Sequence, residues 1–230
     1  MTLKWMAVLA VALLAAQAIA EEPLVLKTQK DRENYAIGVE MARNFKRQGI
    51  EVDLDIVMRG MKDVLAGDKL LLTDNDLLTT MNMFASELRR KKASARLTAA
   101  LDNKKEGEEF LAANKTKEGV VTLPSGLQYK ILKAGDGKKP TEADTVECQY
   151  RGTLIDGTEF DSTYRTGQPI AFKLSDIYLI SGLREALKLM PVGSKWQLFI
   201  PHQLAYGQRG KGRIGPNETL IYELELVAIK

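Results

Sequence analysis

The sequence predicts an α+β chain. An all-helical N-terminal part leads, through one long helix, into an antiparallel half-barrel sheet wrapping a single short helix. Two observations carry this. Between residues 24 and 114, apolar side chains recur at three- and four-residue spacing. After about residue 115 the pattern changes to short strand-like runs punctuated by Gly, Pro and Asp-Gly turns. The expected divisions are 1–20 (leader), 21–72 (helical dimerisation region), 73–114 (connecting helix) and 115–230 (sheet domain, core 141–230).

The chain begins MTLKWMAVLAVALLAAQAIA, followed by EEP. A basic start, a short apolar run and Ala18-Ile19-Ala20 before two acids are the plan of a secretory signal cleaved after Ala20. A buried helix or an uncleaved anchor competes, but the run is short for a membrane span of about 20 residues. No Cys follows the cleavage point, which argues against a lipid-modified N-terminus. With no other long apolar run, the expected mature protein is exported to the periplasm or surface and soluble.

In the first helix Tyr35, Val39, Ala42 and Phe45 share a face, and Gly49 stops the run. A second follows Asp53, carries Val57, Met58, Met61, Val64 and Leu65, and stops at Gly67. A third starts at Thr73 or Asp74, either of which could cap it. Leu77, Met81, Phe84 and Leu88 form its apolar stripe. Beyond them, RRKKASARLTAALDNKKEGEEF is rich in charge and Ala, and Gly107 weakens the helix locally. A helix over residues 74–113 is on the order of 60 Å long. Its second half has little to bury, which predicts a solvated stalk with Arg89 to Lys92 on a solvated face. The short helices are too small for a comfortable core of their own. Self-association through residues 24–90 would supply the missing surface, and a small monomeric cap is the competing reading.

The strand signals are LQYKILKAG, DTVECQYRGTLIDG, AFKL, KWQLFI and TLIYELELVAI, with Asp156-Gly157 as a hairpin turn. Residues 181–190 form the one short helix, whose Leu183, Ala186, Leu187 and Met190 face the sheet.

Composition removes several functions. The net charge of +3 is too small to argue for a nucleic-acid partner. Cys148 is the only cysteine, so no intramolecular disulfide can form, and its alternation with Val146 and Tyr150 reads as a buried structural thiol. His202 is the only histidine, too few for zinc or Ser-His chemistry, and reads as a surface or loop residue. Residues 120–230 hold no nucleophile–base set, no phosphate loop and no metal cluster, so no cofactor is expected. What remains is a set of aromatic and aliphatic side chains near turns. They suit binding, or a reaction without proton transfer.

YRGTLIDGTEFDSTYRTGQPIAF, LMPVGSKWQLFIPHQLAYG and GPNETLIYELELVAI resemble the FKBP family of peptidyl-prolyl cis-trans isomerases. With NFKRQGIEVD, FLAANKTKEGVVTLPSGLQYKI and the leader, the mature chain is similar to the Mip (macrophage infectivity potentiator) branch of Gram-negative bacteria. The resemblance implies a homodimer, an isomerase acting on proline-containing unfolded chains, and macrolide binding.

It also implies a pocket. Phe160 and Tyr150 would be walls, Asp161 a polar group at the carbonyl side, and Tyr206 a phenol donor to a peptide carbonyl. Ile170 stands where the family often has Phe, with Phe172 packed behind it as plain core. Leu179 and Ile180 would meet the ligand, the Ile180 amide as a donor; Ile214 would come from a flap loop, and Tyr222 replaces the usual Phe. Tyr150 and Tyr222 also fit simple inward-facing strand positions. The competing reading of Asp161 is a brace for the loop holding Arg165, and Lys211 and Arg213 read as solvated flap residues.

The departure is LISGL, where the family usually has VIPGW. Leu183 takes the place of the Trp floor, Ser181 replaces Pro, and the preceding SDIY is about two residues longer than in close relatives. A shorter, non-aromatic floor predicts weaker macrolide binding and lower isomerase activity. A peptide-binding chaperone or module with little catalysis is therefore the alternative. A purely structural dimer is disfavoured, because Asp161, Tyr206 and the flap pattern remain.

Overall fold

The computed structural model describes residues 25–230. The leader expected over residues 1–20 lies outside them. Two compact units divide the chain at Asp74/Asn75.

The first unit is helical. α1 spans Gln29–Gln48 and starts with a reciprocal cap: Thr28 Oγ1 accepts the Asp31 amide at 3.0 Å, and Asp31 Oδ2 accepts the Thr28 amide at 2.8 Å. α2 spans Leu54–Ala66, capped by Asp53, which accepts from the Asp55 and Ile56 amides. Gly49 and Gly67 close the two helices. α1 buries none of its residues and α2 buries only Asp63, which pairs with Arg59 at 2.7 Å. Ile56, Val64 and Leu65 stay 71%, 65% and 87% exposed.

α3 is one continuous helix, Asp74–Asn114. Its second half is not a solvated stalk. Arg96 donates to the carbonyls of Gln208 and Arg209 at 3.1 and 2.7 Å, and Asn103 donates to the Pro216 carbonyl at 2.8 Å. Asn217 donates back to the Ala100 carbonyl at 2.9 Å. Further on, Phe110 packs on Phe199 with ring centroids 5.9 Å apart, and buried Asn114 donates to Gln128 at 3.0 Å. Gly107 permits the close approach, since a Cβ there would collide with Thr219 Oγ1. The expectation failed because, apart from Phe110, this contact is made chiefly by polar groups, several of them on backbone carbonyls. It leaves no apolar stripe to read.

Seven strands build the sheet: β1 Val120–Thr122, β2 Gln128–Lys133, β3 Thr145–Leu154, β4 Glu159–Ser162, β5 Ile170–Lys173, β6 Lys195–Ile200 and β7 Leu220–Ile229. The order is β1-β2-β6-β7-β3-β4, β5 also pairs β3, and every pairing is antiparallel. Alternation along β3 and β7 turns Val146, Cys148, Tyr150 and Leu220, Tyr222, Leu224, Leu226 inward. α4, Ser181–Leu189, lies against them and buries Leu183, Ala186 and Leu187, with Met190 just after it. Among the described residues, no helix is long and apolar enough to cross a membrane.

His202 lies in a loop, as expected, but is not fully exposed. It sits in a short 3-10 turn, His202–Leu204, half-buried, and neither ring nitrogen has a hydrogen-bond partner among the described residues. Burial lowers its pKa first, and the charge of Lys104 on α3 adds to this. The docked helix is the physical reason for the difference.

Candidate active site

A cavity of about 250 Å³ opens between the inner face of the sheet and the start of α4. β3 supplies Tyr150, β7 supplies Tyr222, and β5 supplies Phe172. The three rings form a continuous wall: Tyr150 lies 5.9 Å from Phe172 and 5.7 Å from Tyr222, centroid to centroid. Leu183, 5% exposed, stands at the first turn of α4 and closes the floor with Leu179 and Ile180.

Polar groups stand between these walls. Asp161 comes from β4, where the register shifts against β3 between Gly152 and Thr153. That shift leaves Phe160 as the extra residue and sets Asp161 opposite Gly152. The Tyr150 hydroxyl donates to Asp161 Oδ2 at 2.5 Å, and the Ser162 amide donates to Asp161 Oδ1 at 2.9 Å. Arg165, in the loop after β4, pairs with Glu159 at 3.5 Å. Tyr206 follows β6, and its hydroxyl makes no hydrogen bond to a described residue; nor does the Ile180 amide. Burial raises the pKa of Tyr150, Tyr206 and Tyr222, and the Asp161 charge adds to each shift. All three phenols therefore stay protonated and able to donate at neutral pH. Cys148 is fully buried and its thiol is pushed up to about 12, chiefly by burial, which keeps it unreactive.

Of the residues singled out from sequence, Tyr150, Asp161, Leu179, Ile180, Leu183, Tyr206 and Tyr222 line this cavity. Three do not. Phe160 stands behind the wall, edge-on to Tyr222 at 5.6 Å, in a slot that Gly152 leaves open; a Cβ on Gly152 would meet the Phe160 ring. Ile214 is buried in the core, bridged to Lys211. Ile170 is 42% exposed, while Phe172 on the same strand lines the cavity. The cavity meets β5 at Ala171, Phe172 and Lys173, and Ile170, the first residue of the strand, lies just outside it. Phe172 is thus a wall and not plain core. Sequence reading gave no site role to Ala171, Lys173, Asp176 or Tyr178, and read Lys211 as a solvated flap residue; all five line the same cavity. Lys211 Nζ stands 5.4 Å from the Tyr206 ring centroid. No local pattern marks them as a set, because Asp176, Tyr178 and Lys211 lie outside the strands and only the fold brings them together.

The comparisons agree with this geometry. Residues 30–131 match the family described as a domain amino terminal to FKBP-type peptidyl-prolyl isomerase, and residues 136–227 match FKBP-type peptidyl-prolyl cis-trans isomerase. The chain is similar to the outer membrane protein MIP of Legionella longbeachae, with 46% identity over 97% of this chain and 95% of that protein. It is also similar to the peptidyl-prolyl cis-trans isomerase Mip of Coxiella burnetii, with 40% identity over 95% of this chain and 94% of that one. The crystal structure of FkpA from Escherichia coli covers 90% of this chain and 99% of its own, with a TM-score of 0.68 at 34% identity. An apolar cavity ringed by phenols, on a sheet wrapped round one helix, and likeness along nearly the whole chain lead to one conclusion: this protein belongs to the FKBP-type peptidyl-prolyl cis-trans isomerases, and is an isomerase of that type.

Proposed function

We propose that the cavity between Tyr150, Phe172, Leu183 and Tyr222 receives a prolyl ring and accelerates rotation of its X-Pro bond in exported polypeptides. The uncatalysed barrier, about 18–20 kcal/mol, comes from amide resonance. At the twisted transition state that conjugation is lost and the nitrogen becomes pyramidal. A dry cavity that fits the twisted amide better than the planar one lowers the barrier by differential binding. Tyr206 and the Ile180 amide, both without an internal partner, are the donors available to the flanking carbonyls. Asp161, held by Tyr150, supplies fixed negative charge on the carbonyl side. Phe160 and Ile214 act behind this surface, Phe160 by packing on Tyr222.

The observation that carries this reading is the Tyr206 hydroxyl, without a hydrogen-bond partner among the described residues, beside an aromatic-walled cavity in which the Asp161 carboxylate is already tied to Tyr150. The binding-only alternative is not favoured, because the similar proteins are named as isomerases. A proline-limited refolding reaction tests the proposal. The protein should speed it catalytically, and a macrolide inhibitor should abolish the effect at higher dose than in relatives with a Trp floor. Suppressed aggregation with no change in the proline-limited rate would contradict it.

The first unit leaves Ile56, Val64 and Leu65 exposed and buries almost nothing, which supports homodimerisation through residues 24–90. Export to the periplasm or surface rests on the leader and on the outer-membrane name of one relative. Light scattering at micromolar concentration should give twice the mass of the mature chain; a monomer would sink the dimer.

A further inference from the structure

The loop that leads from Tyr206 into β7 carries Arg209-Gly210-Lys211-Gly212-Arg213. Its tip is a closed hairpin, in which Lys211 and Ile214 exchange both backbone hydrogen bonds at 2.9 Å each. Gly210 and Gly212 turn the chain at φ +59°, a backbone that L side chains rarely adopt. Ile214, 8% exposed, anchors the tip in the core. The base is fixed as well. The Asn217 amide donates to the Gly207 carbonyl at 2.8 Å, and Arg96 holds the carbonyls of Gln208 and Arg209. The backbone is thus satisfied within the protein, and what the hairpin offers outward is side chains.

Those side chains are cations. Arg209, Lys211 and Arg213 are exposed, and none of them forms an ion pair with a described residue. Arg96 adds a fourth positive charge at the base, held on carbonyls and not on a carboxylate. Glu218 is the one acid between Tyr206 and Thr219. It is partly buried, and its pKa is raised by burial first and then by the charges of Asp156 and Glu106. It stands among other acids and does not neutralise the hairpin. Like charges gathered on a fixed backbone repel one another, and a negative partner relieves that repulsion. Lys211 joins the patch to the cavity, which it lines, with its Nζ 5.4 Å from the Tyr206 ring centroid. A polypeptide seated in the cavity therefore passes beside the cations.

Resting on the isomerase reading, we propose that this hairpin is a docking surface for acidic segments of the polypeptide whose proline occupies the cavity. One exposed ion pair is weak in water. Several cations acting on one run of carboxylates add their attraction, raise the rate of encounter, and lose both as salt screens them. Of the three exposed cations only Lys211 lines the cavity, so a run of carboxylates a few residues from the proline is needed to reach the arginines. The patch is one hairpin wide and continuous with the cavity. That fits a short acidic run in an extended chain better than a flat surface of anionic lipid. Acidic X-Pro segments are thereby favoured over neutral and basic ones.

The test uses the full mature chain and Ala-rich peptides with a single proline. Each peptide carries a short run of Glu, Gln or Lys, set a few residues away on one side of the proline or the other. Isomerisation is read by NMR exchange and affinity by titration, at low and at high salt. At low salt the Glu run on one side should raise kcat/KM about threefold to tenfold over the Gln run, and the Lys run should lower it. High salt should bring the Glu-to-Gln ratio toward one. The variant Arg209→Gln, Arg213→Gln should lower that ratio at low salt, and Arg209→Glu, Arg213→Glu should invert the order, with Lys above Glu. No Glu preference on either side, a preference indifferent to salt, or one that survives the charge reversal would overturn the docking surface. So would charge-dependent retention on vesicles of anionic lipid with the peptides undiscriminated, which would give the hairpin to a membrane. Failure of the isomerase reading looks different, with no peptide turned over at all. The Glu-to-Gln ratio in affinity, measured in the same proteins, then decides the docking surface by itself.

Discussion

Tyr150 and Asp161, 11 residues apart in sequence, meet hydroxyl to carboxylate at 2.5 Å across the β3–β4 pairing. The bond fixes both partners. It turns Tyr150 into a wall and points the carboxylate into the cavity, with Oδ1 tied to the Ser162 amide. Removing either partner should therefore cost activity through the other. Tyr150→Phe should lower kcat/KM about threefold to tenfold, and Asp161→Asn by a similar factor. The double variant should lose less than the product, with a coupling of about 1–2 kcal/mol in a double-mutant cycle. Additive losses would separate the two residues.

Leu183 is buried at the first turn of α4 and forms the floor with a side chain that offers no N–H. Leu183→Trp should raise macrolide affinity roughly tenfold and raise isomerase turnover, through added contact area and an indole donor. The larger ring should also cost about 1–3 kcal/mol in stability, read by urea unfolding, because the site is already packed. Unchanged affinity and turnover would show that the floor does not limit either.

α3 reaches the loop that follows Tyr206. Arg96 holds its start at Gln208 and Arg209, and Asn103 and Asn217 hold its end. Arg96→Ala should destabilise the protein by about 1–2 kcal/mol. It should also speed amide exchange over residues 207–219 and lower kcat/KM on peptides. Exchange unchanged in that loop would mean that α3 carries no part of its order.

His202 feels the charges of Lys104 and Glu108 on the same helix, and burial favours its imidazole in the neutral form. Its folded pKa lies below the ordinary 6.5, so the unfolded chain binds the extra proton first as pH falls. Stability from this group is intact above about pH 6.5 and is lost progressively below it. His202→Phe should flatten that part of the stability–pH profile, read by urea midpoints at several pH values. A profile identical to the parent would remove His202 from the account.

Where local chemistry decides structure, the residues could be read directly. Asp53, Gly49 and Gly67 mark helix ends because caps are made within a few residues. Alternation around Cys148 marks a strand for the same reason. The docking of α3 could not be read, because Arg96 finds its partners 112 and 113 residues away on backbone carbonyls. Phe172 and Ile170 show a subtler limit. Both lie on one face of β5, and only the position of the cavity along the strand decides which one lines it. Tyr178 and Lys211 enter the site from turns, where no periodicity places a side chain.

The central claim is that binding geometry alone, around Asp161 and Tyr206, speeds rotation about an X-Pro bond. NMR exchange on a single-proline peptide tests it most directly, with the parent compared to the double variant Asp161→Ala, Tyr206→Phe. The parent should accelerate exchange at catalytic concentration, and the folded double variant should lose that acceleration on the order of tenfold or more. Equal acceleration by both proteins would contradict the account.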